Sequence, residues 1–165
     1  WKLLAVFIGT NDLCQSGCKA TFNPDELEER LFQTLELIRS KVPRTLVTLL
    51  QLPDVSQLSW FANRHKRCLP VQALLRLECP CAMGSSDEQW ALRTSIADFN
   101  LRLKRVAQRL NERIWQEQNP AEQDWAVLVM PLLKDTSYRD DIPHHFATKL
   151  DCFHPSLSAH RSMAM

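Results

Sequence analysis

The sequence predicts a three-layer α/β/α domain with a mostly parallel sheet, and three observations lead there. Three short apolar runs, KLLAVFIG (2–9), TLVTLLQLP (45–53) and WAVLVMP (125–131), have strand length and end on Gly or Pro. Longer segments with helical periodicity stand between them. The first of these segments joins two strand-like runs, the crossover order that a parallel sheet requires.

Taken in order, KLLAVFIG is continuously apolar rather than alternating, which predicts a strand buried on both faces. NPDELEERLFQTLELIRSKV (23–42) reads as a helix. Asn23 caps it, Pro24 suits its first position, and Asp25 and Glu26 suit the positive end of its dipole. Leu27, Leu31, Leu35 and Ile38 form its apolar face. TLVTLLQLP is a second strand stopped by Pro53. Residues 54–84 are less regular: SQLSWFANR suggests a short helix, and CLPVQALLRLECPC is an excursion punctuated by Pro and Cys. A strong helix follows through residue 117, with Ser86 and Gln89 as a capping box and Ile96, Phe99, Leu103, Val106, Leu110 and Ile114 as its buried stripe. WAVLVMP is the third strand. A long loop then leads to a last helix capped by Ser156 or Ser158.

The 165 residues suit one domain, and 45% apolar with 24% charged residues is an ordinary globular composition. A net charge of +1 gives no basic surplus for nucleic acid. The apolar runs fall far short of the ~20 residues of a membrane-spanning helix. Six cysteines, Cys14, Cys18, Cys68, Cys79, Cys81 and Cys152, favour an oxidised, secreted chain. Zinc is the rival, but Cys79 and Cys81 stand too close for a standard knuckle. Pairing stays open: Cys14 with Cys18 would close a small loop, and Cys68 would reach Cys79 or Cys81. A bond between Cys79 and Cys81 is disfavoured, because alternate residues on an extended chain diverge.

Sites in parallel sheets lie at the carboxyl ends of strands. FIGTND (7–12) places Gly9, Thr10, Asn11 and Asp12 at such an end. Gly9 lets the chain turn, and the Asn11 amide can donate to an oxyanion; the same residue types also build ordinary turns. In DCFHPS (151–156), Asp151 stands two residues from His154, a spacing at which a carboxylate orients an imidazole as a base for a serine nucleophile. A capped turn with a surface histidine is the competing reading. Asp140, Asp141, His144 and His145 read as a solvated loop rather than a metal site. His65, in RHKR, reads as part of a solvated face, and His160 lies on the last helix. Leu132, Leu133, Tyr138, Ile142 and Phe146 form either an apolar rim for acyl chains or core.

GTND (9–12) and DCFH (151–154), in this order and at this distance, resemble the third and fourth sequence blocks of the GDSL-type lipase and esterase family. WKLLAVFIGTNDLC, CLPVQALLRLECPC and LDCFHPSLSAH are similar to the animal membrane-associated phospholipase B subgroup, so the resemblance covers essentially the whole chain. Thr10 stands where close relatives more often have Gly. The resemblance implies a flavodoxin-like hydrolase fold, with residues 1–165 as the carboxy-terminal portion of a single domain, incomplete at its N-terminus. It implies His154 as base, Asp151 as its partner, and Asn11 with Gly9 at the oxyanion hole. It implies no metal or other cofactor. No Gly-Asp-Ser step occurs here, so the nucleophile is expected upstream of Trp1 and this chain alone is expected to be inactive. Phospholipid or lysophospholipid is the implied substrate. The implied location is extracellular or at the cell surface, with membrane anchorage from parts of the parent outside this chain. The alternative is a non-catalytic lipid- or protein-binding domain that keeps the fold.

Overall fold

The computed structural model describes residues 1–117, 123–131, 134–136, 147–148, 150 and 152–163. Three strands, β1 (Lys2–Val6), β2 (Thr45–Leu50) and β3 (Trp125–Met130), form one parallel sheet in the order β1-β2-β3. Lys2 pairs with Thr45, and Thr45 in turn with Trp125. The helices are α1 (Thr10–Ser16), α2 (Pro24–Lys41), α3 (Leu58–Arg64), α4 (Gln72–Glu78), α5 (Pro80–Met83), α6 (Ser86–Glu117) and α7 (Leu157–Met163). Parallel strands joined through helices are the α/β arrangement the sequence predicts. The chain divides into two units. One holds Trp1–Gly9, Asn23–Leu52 and Ala97–Lys134; the other holds Thr10–Phe22, Pro53–Ile96 and Asp135–Met165.

In the first unit, α2 starts as its sequence dictates. Asn23 Oδ1 accepts from the backbone N–H groups of Asp25 and Glu26, and Pro24 occupies the first turn. The core gathers Leu31, Phe32 and Leu35 of α2, Phe99, Leu103, Val106, Leu110 and Ile114 of α6, and Val47, Leu49, Trp125 and Val127 of the sheet. No residue of β1 is fully buried, which corrects the expectation of a first strand buried on both faces. Leu3 is 73% exposed, as are Leu128 and Met130 to smaller degrees, while Val47 and Val127 of the opposite face are buried. The physical reason lies in the faces rather than the edge: by register Leu3, Leu128 and Met130 share one face of the sheet and stay exposed there, whereas Val47 and Val127 pack on the other.

A ladder of opposite charges links α2 to α6. Arg102 donates to Asp25, Glu28 and Asp98, Arg105 to Glu28, Arg109 to Glu29 and Arg113 to Glu36, and Arg39 of α2 pairs with Glu117. Arg109 and Arg113 also lie over the Phe32 ring, at 4.1 and 5.1 Å from its centroid. Burial alone would lower the pKa of Arg102, but hydrogen bonds and charge from Asp98 and Asp25 outweigh it and raise the pKa further above the ordinary range. Exposed rungs of such a ladder contribute ~0–1 kcal/mol each. The Arg102–Glu28 rung, with both side chains mostly buried, is less screened by solvent than the others.

Two asparagines on α6 read backbone directly. Asn100 Oδ1 accepts from Leu52 N–H at 2.8 Å and its Nδ2 donates to Leu52 C=O at 2.9 Å. Asn111 does the same at Val127, at 2.9 and 2.8 Å. Each side-chain amide therefore stands where a neighbouring strand would, at the carboxyl end of β2 and on the strand edge of β3.

The second unit is tied by three disulfides, Cys14–Cys79, Cys18–Cys81 and Cys68–Cys152. None of the pairings considered from the sequence occurs. The excursion at 68–81, irregular in sequence, is helical: a 3-10 turn at Lys66–Val71, then α4 and α5, which holds Cys79 and Cys81 opposite α1 rather than near Cys68. The α6 cap also differs by one residue. Ser85 Oγ accepts from Glu88 N–H and Glu88 accepts from Ser85 N–H at 2.7 Å, so the box is Ser85–Glu88 rather than Ser86–Gln89. The backbone bond from Ser85, followed by its hydroxyl, lowers the pKa of Glu88. At α7, Ser156 Oγ accepts from Ala159 N–H, which selects Ser156 over Ser158 as the cap.

Candidate functional site

Gly9 closes the β1 segment with φ +104, a conformation that suits glycine, and it is buried. A Cβ here would meet Phe99 Cε1 at 2.7 Å, so Phe99 of the α6 stripe and Gly9 fit each other. Residues 10–16 form a helix, which the sequence reading of GTND as a turn or an oxyanion-hole loop did not include. Thr10 opens α1 and Asn11 is its second residue, exposed; Leu13 and Cys14 on the opposite side are buried. The reversal at Gly9 is what lets a strand pass directly into a helix and leaves Asn11 at the first turn of that helix.

His154 stands on a loop closed by backbone bonds. Ala147 and Pro155 form an antiparallel bridge, Thr148 N–H donates to His154 C=O at 2.9 Å, and Cys152 N–H donates to Thr148 C=O at 3.2 Å. Cys152 takes φ +57, so the chain turns sharply two residues before the histidine. The His154 ring is exposed and meets Phe153 edge-on at 5.0 Å. Arg67 donates to Ala147 C=O, and Cys68–Cys152 fixes the same loop covalently.

Asn11 and His154 belong to the same unit and are tied to opposite ends of one helical segment. The loop of His154 is bonded to its start at Cys68, α1 is bonded to its end through Cys14–Cys79, and Cys18, just past α1, is bonded to Cys81. Gln15 of α1 adds hydrogen bonds to Leu77 C=O and Glu78 C=O. Gly9 belongs to the other unit. Asp151 lies outside the described residues, as do Asp140, Asp141, His144, His145, Leu132, Leu133, Tyr138, Ile142 and Phe146.

His65, expected on a solvated face, is half-buried with its ring 4.4 Å from that of Phe61. His160 is exposed on α7. Among the described residues, no three His, Cys, Asp or Glu side chains group as metal ligands, and no helix is long and apolar enough to cross a membrane. The supports that sequence reasoning missed are Asn100 and Asn111. Their signal was present, since both are amides standing in the middle of an apolar helical stripe.

A family model described as GDSL-like Lipase/Acylhydrolase matches residues 1–165. Among curated proteins, the mouse protein named phospholipase B1, membrane-associated, is 27% identical over 169 residues, covering 100% of this chain. The human protein of that name is 27% identical over 168 residues and the rat protein 25% over 170. The chain spans 11% of the length of each of these relatives.

Proposed function

The chain belongs to the family of GDSL-like lipases and acylhydrolases, and from that premise we propose that it is the carboxy-terminal portion of a serine hydrolase that releases fatty acids from phospholipids or lysophospholipids. On this reading the nucleophile is the serine of a Gly-Asp-Ser step, which residues 1–165 do not contain. In the complete site that serine attacks the acyl carbonyl. His154 takes its proton and returns it to the leaving alcohol, and Asp151 orients the imidazole. Asn11 donates to the tetrahedral oxyanion, with Gly9 shaping the approach. Water then attacks the acyl-enzyme, with His154 again as base. The chemistry uses no metal or organic cofactor. Three disulfides and the likeness to membrane-associated relatives support a secreted or cell-surface setting.

One observation carries this reading: in a chain matched throughout by an acylhydrolase family, Gly9-Thr10-Asn11-Asp12 follows a parallel strand and His154 sits on a loop held by a disulfide. The experiment is fatty-acid release from lysophosphatidylcholine by the protein extended upstream to include a Gly-Asp-Ser step. His154→Ala should cut turnover by roughly 10⁴-fold or more, and Asn11→Ala by about 10²–10³. The 165-residue chain alone should take no label from a fluorophosphonate probe. Undiminished release by the His154→Ala protein overturns the assignment. Absence of any serine labelling in the extended protein favours the non-catalytic binding domain.

A further inference from the structure

We propose that the helical segment from Lys66 to Glu78 is a docking surface for an anionic phospholipid membrane. Along it Pro70, Ala73, Leu74 and Leu77 fall at the i, i+3, i+4, i+7 spacing of one helical face, and all are exposed. Leu77 is 73% exposed, Leu69 51% and Leu74 41%. The opposite side holds Cys68 and Leu75, both fully buried. The segment is thus amphipathic, with its second apolar face turned outward.

Charge decides what that outward face fits. From Val55 to Leu77 the sequence has no Asp or Glu but carries Arg64, Lys66, Arg67 and Arg76, and the half-buried Glu78 at its end is the one acid of the segment. Arg64, Lys66 and Arg76 are exposed, and Arg64 lies 5.2 Å from the centroid of the Trp60 ring. The chain as a whole has 20 basic and 19 acidic residues, so this excess is local. Leucines among an excess of cations match a lipid interface, where acyl chains receive the apolar side chains and headgroup phosphates the cations. A second copy of the same face would set like charge on like charge. The exposed sheet residues Leu3, Leu128 and Met130 show the contrast, since no cation or anion alternates with them on that face.

The segment is also built to hold its shape. Cys68 staples its start, Cys79 bonds the residue just past its end, and Gln15 occupies the carbonyls of Leu77 and Glu78. The leucines therefore cannot fold inward, and the helix end meets lipid with those two carbonyls already bonded. The same bond at Cys68 fixes the loop of His154, so docking would set the distance between that histidine and the interface.

The choice of lipid over protein as partner rests on the lipid-ester reading above, so the test measures binding without turnover. The oxidised chain is sedimented with vesicles of ether-linked phosphatidylcholine, with and without ether-linked phosphatidylserine; neither lipid has an acyl ester to cleave. Binding should favour the anionic vesicles and fall as salt rises. Neutralising Arg64, Lys66 and Arg76 to Gln should weaken it about fivefold per cation. Leu74→Trp should shift its emission to the blue and be quenched by brominated lipid only when vesicles are bound. Equal binding to both vesicles, full binding by the neutralised variant, or an unshifted Leu74→Trp signal would each overturn the proposal, as would dimers through this face without lipid binding. Peptide mapping of the three disulfides confirms that each variant is folded. No binding of the unsubstituted protein to either vesicle, with intact release from a dispersed soluble ester in the extended protein, would sink this inference alone, and vesicle binding without any such release would sink only the hydrolase reading.

Discussion

Replacing Asn100 by Ala tests whether a single amide holds the carboxyl end of β2. Asn100 is 6% exposed and Leu52 is 1% exposed, so neither Leu52 N–H nor C=O has ready access to water. The substitution strands both groups at once, and each stranded buried group costs ~1–3 kcal/mol. Partial water entry into the space vacated would recover some of that, which leaves a loss of roughly 2–5 kcal/mol. The bond from Gln51 Nε2 goes to the Asn100 backbone carbonyl and survives. Asn111 is the internal control. It makes the same two bonds at Val127, but it is half-buried on a strand edge where water can replace it, so Asn111→Ala should lose only about 1 kcal/mol. Equilibrium urea unfolding of the oxidised protein, followed by the fluorescence of buried Trp125, reads both values, provided the m-value is unchanged. Equal losses at the two positions, or a loss at Asn100 under about 1 kcal/mol, would show that the amide merely fills space.

Two further predictions follow from the same geometry. Gly9→Ala should destabilise by roughly 1–3 kcal/mol, because the new methyl meets Phe99 and φ +104 disfavours any side chain. Adding Phe99→Leu should recover only the contact part, and full recovery in urea would argue against backbone strain. Among disulfides, replacing Cys68 and Cys152 with Ser should cost roughly 2 kcal/mol more than replacing Cys18 and Cys81, by the loop-entropy argument. The first opens a separation of 84 residues, whereas Cys14–Cys79 still holds together the ends that Cys18–Cys81 joins. Equal melting-temperature losses for the two pairs would count against that argument.

What was legible in the sequence were features encoded within one element. The cap at Asn23, the stripe of α6 and the strand runs each depend on neighbours a few residues away, and the structure has them where the pattern put them. The errors fall where a distant partner decides. The run KLLAVFIG is apolar enough for two buried faces, but exposure depends on what lies beside it, and Leu3 is open. Residues 68–81 looked irregular because Pro70 and Pro80 interrupt them, yet both prolines are tolerated: Pro80 opens α5 and Pro70 falls in a 3-10 turn. Missing those helices meant missing the disulfide pairs, since only a helical path sets Cys79 and Cys81 against α1. The candidate site has the same character. GTND and DCFH announce themselves locally, while the segment that ties Asn11 to His154 is visible only as a set of long-range bonds. In physical terms the three cross-links replace sequence proximity: they connect residues 63 to 84 positions apart, so the placement of the proposed pair Asn11 and His154 depends on oxidation. Reduction should therefore disturb His154 and Asn11 before it disturbs the disulfide-free unit that contains the sheet.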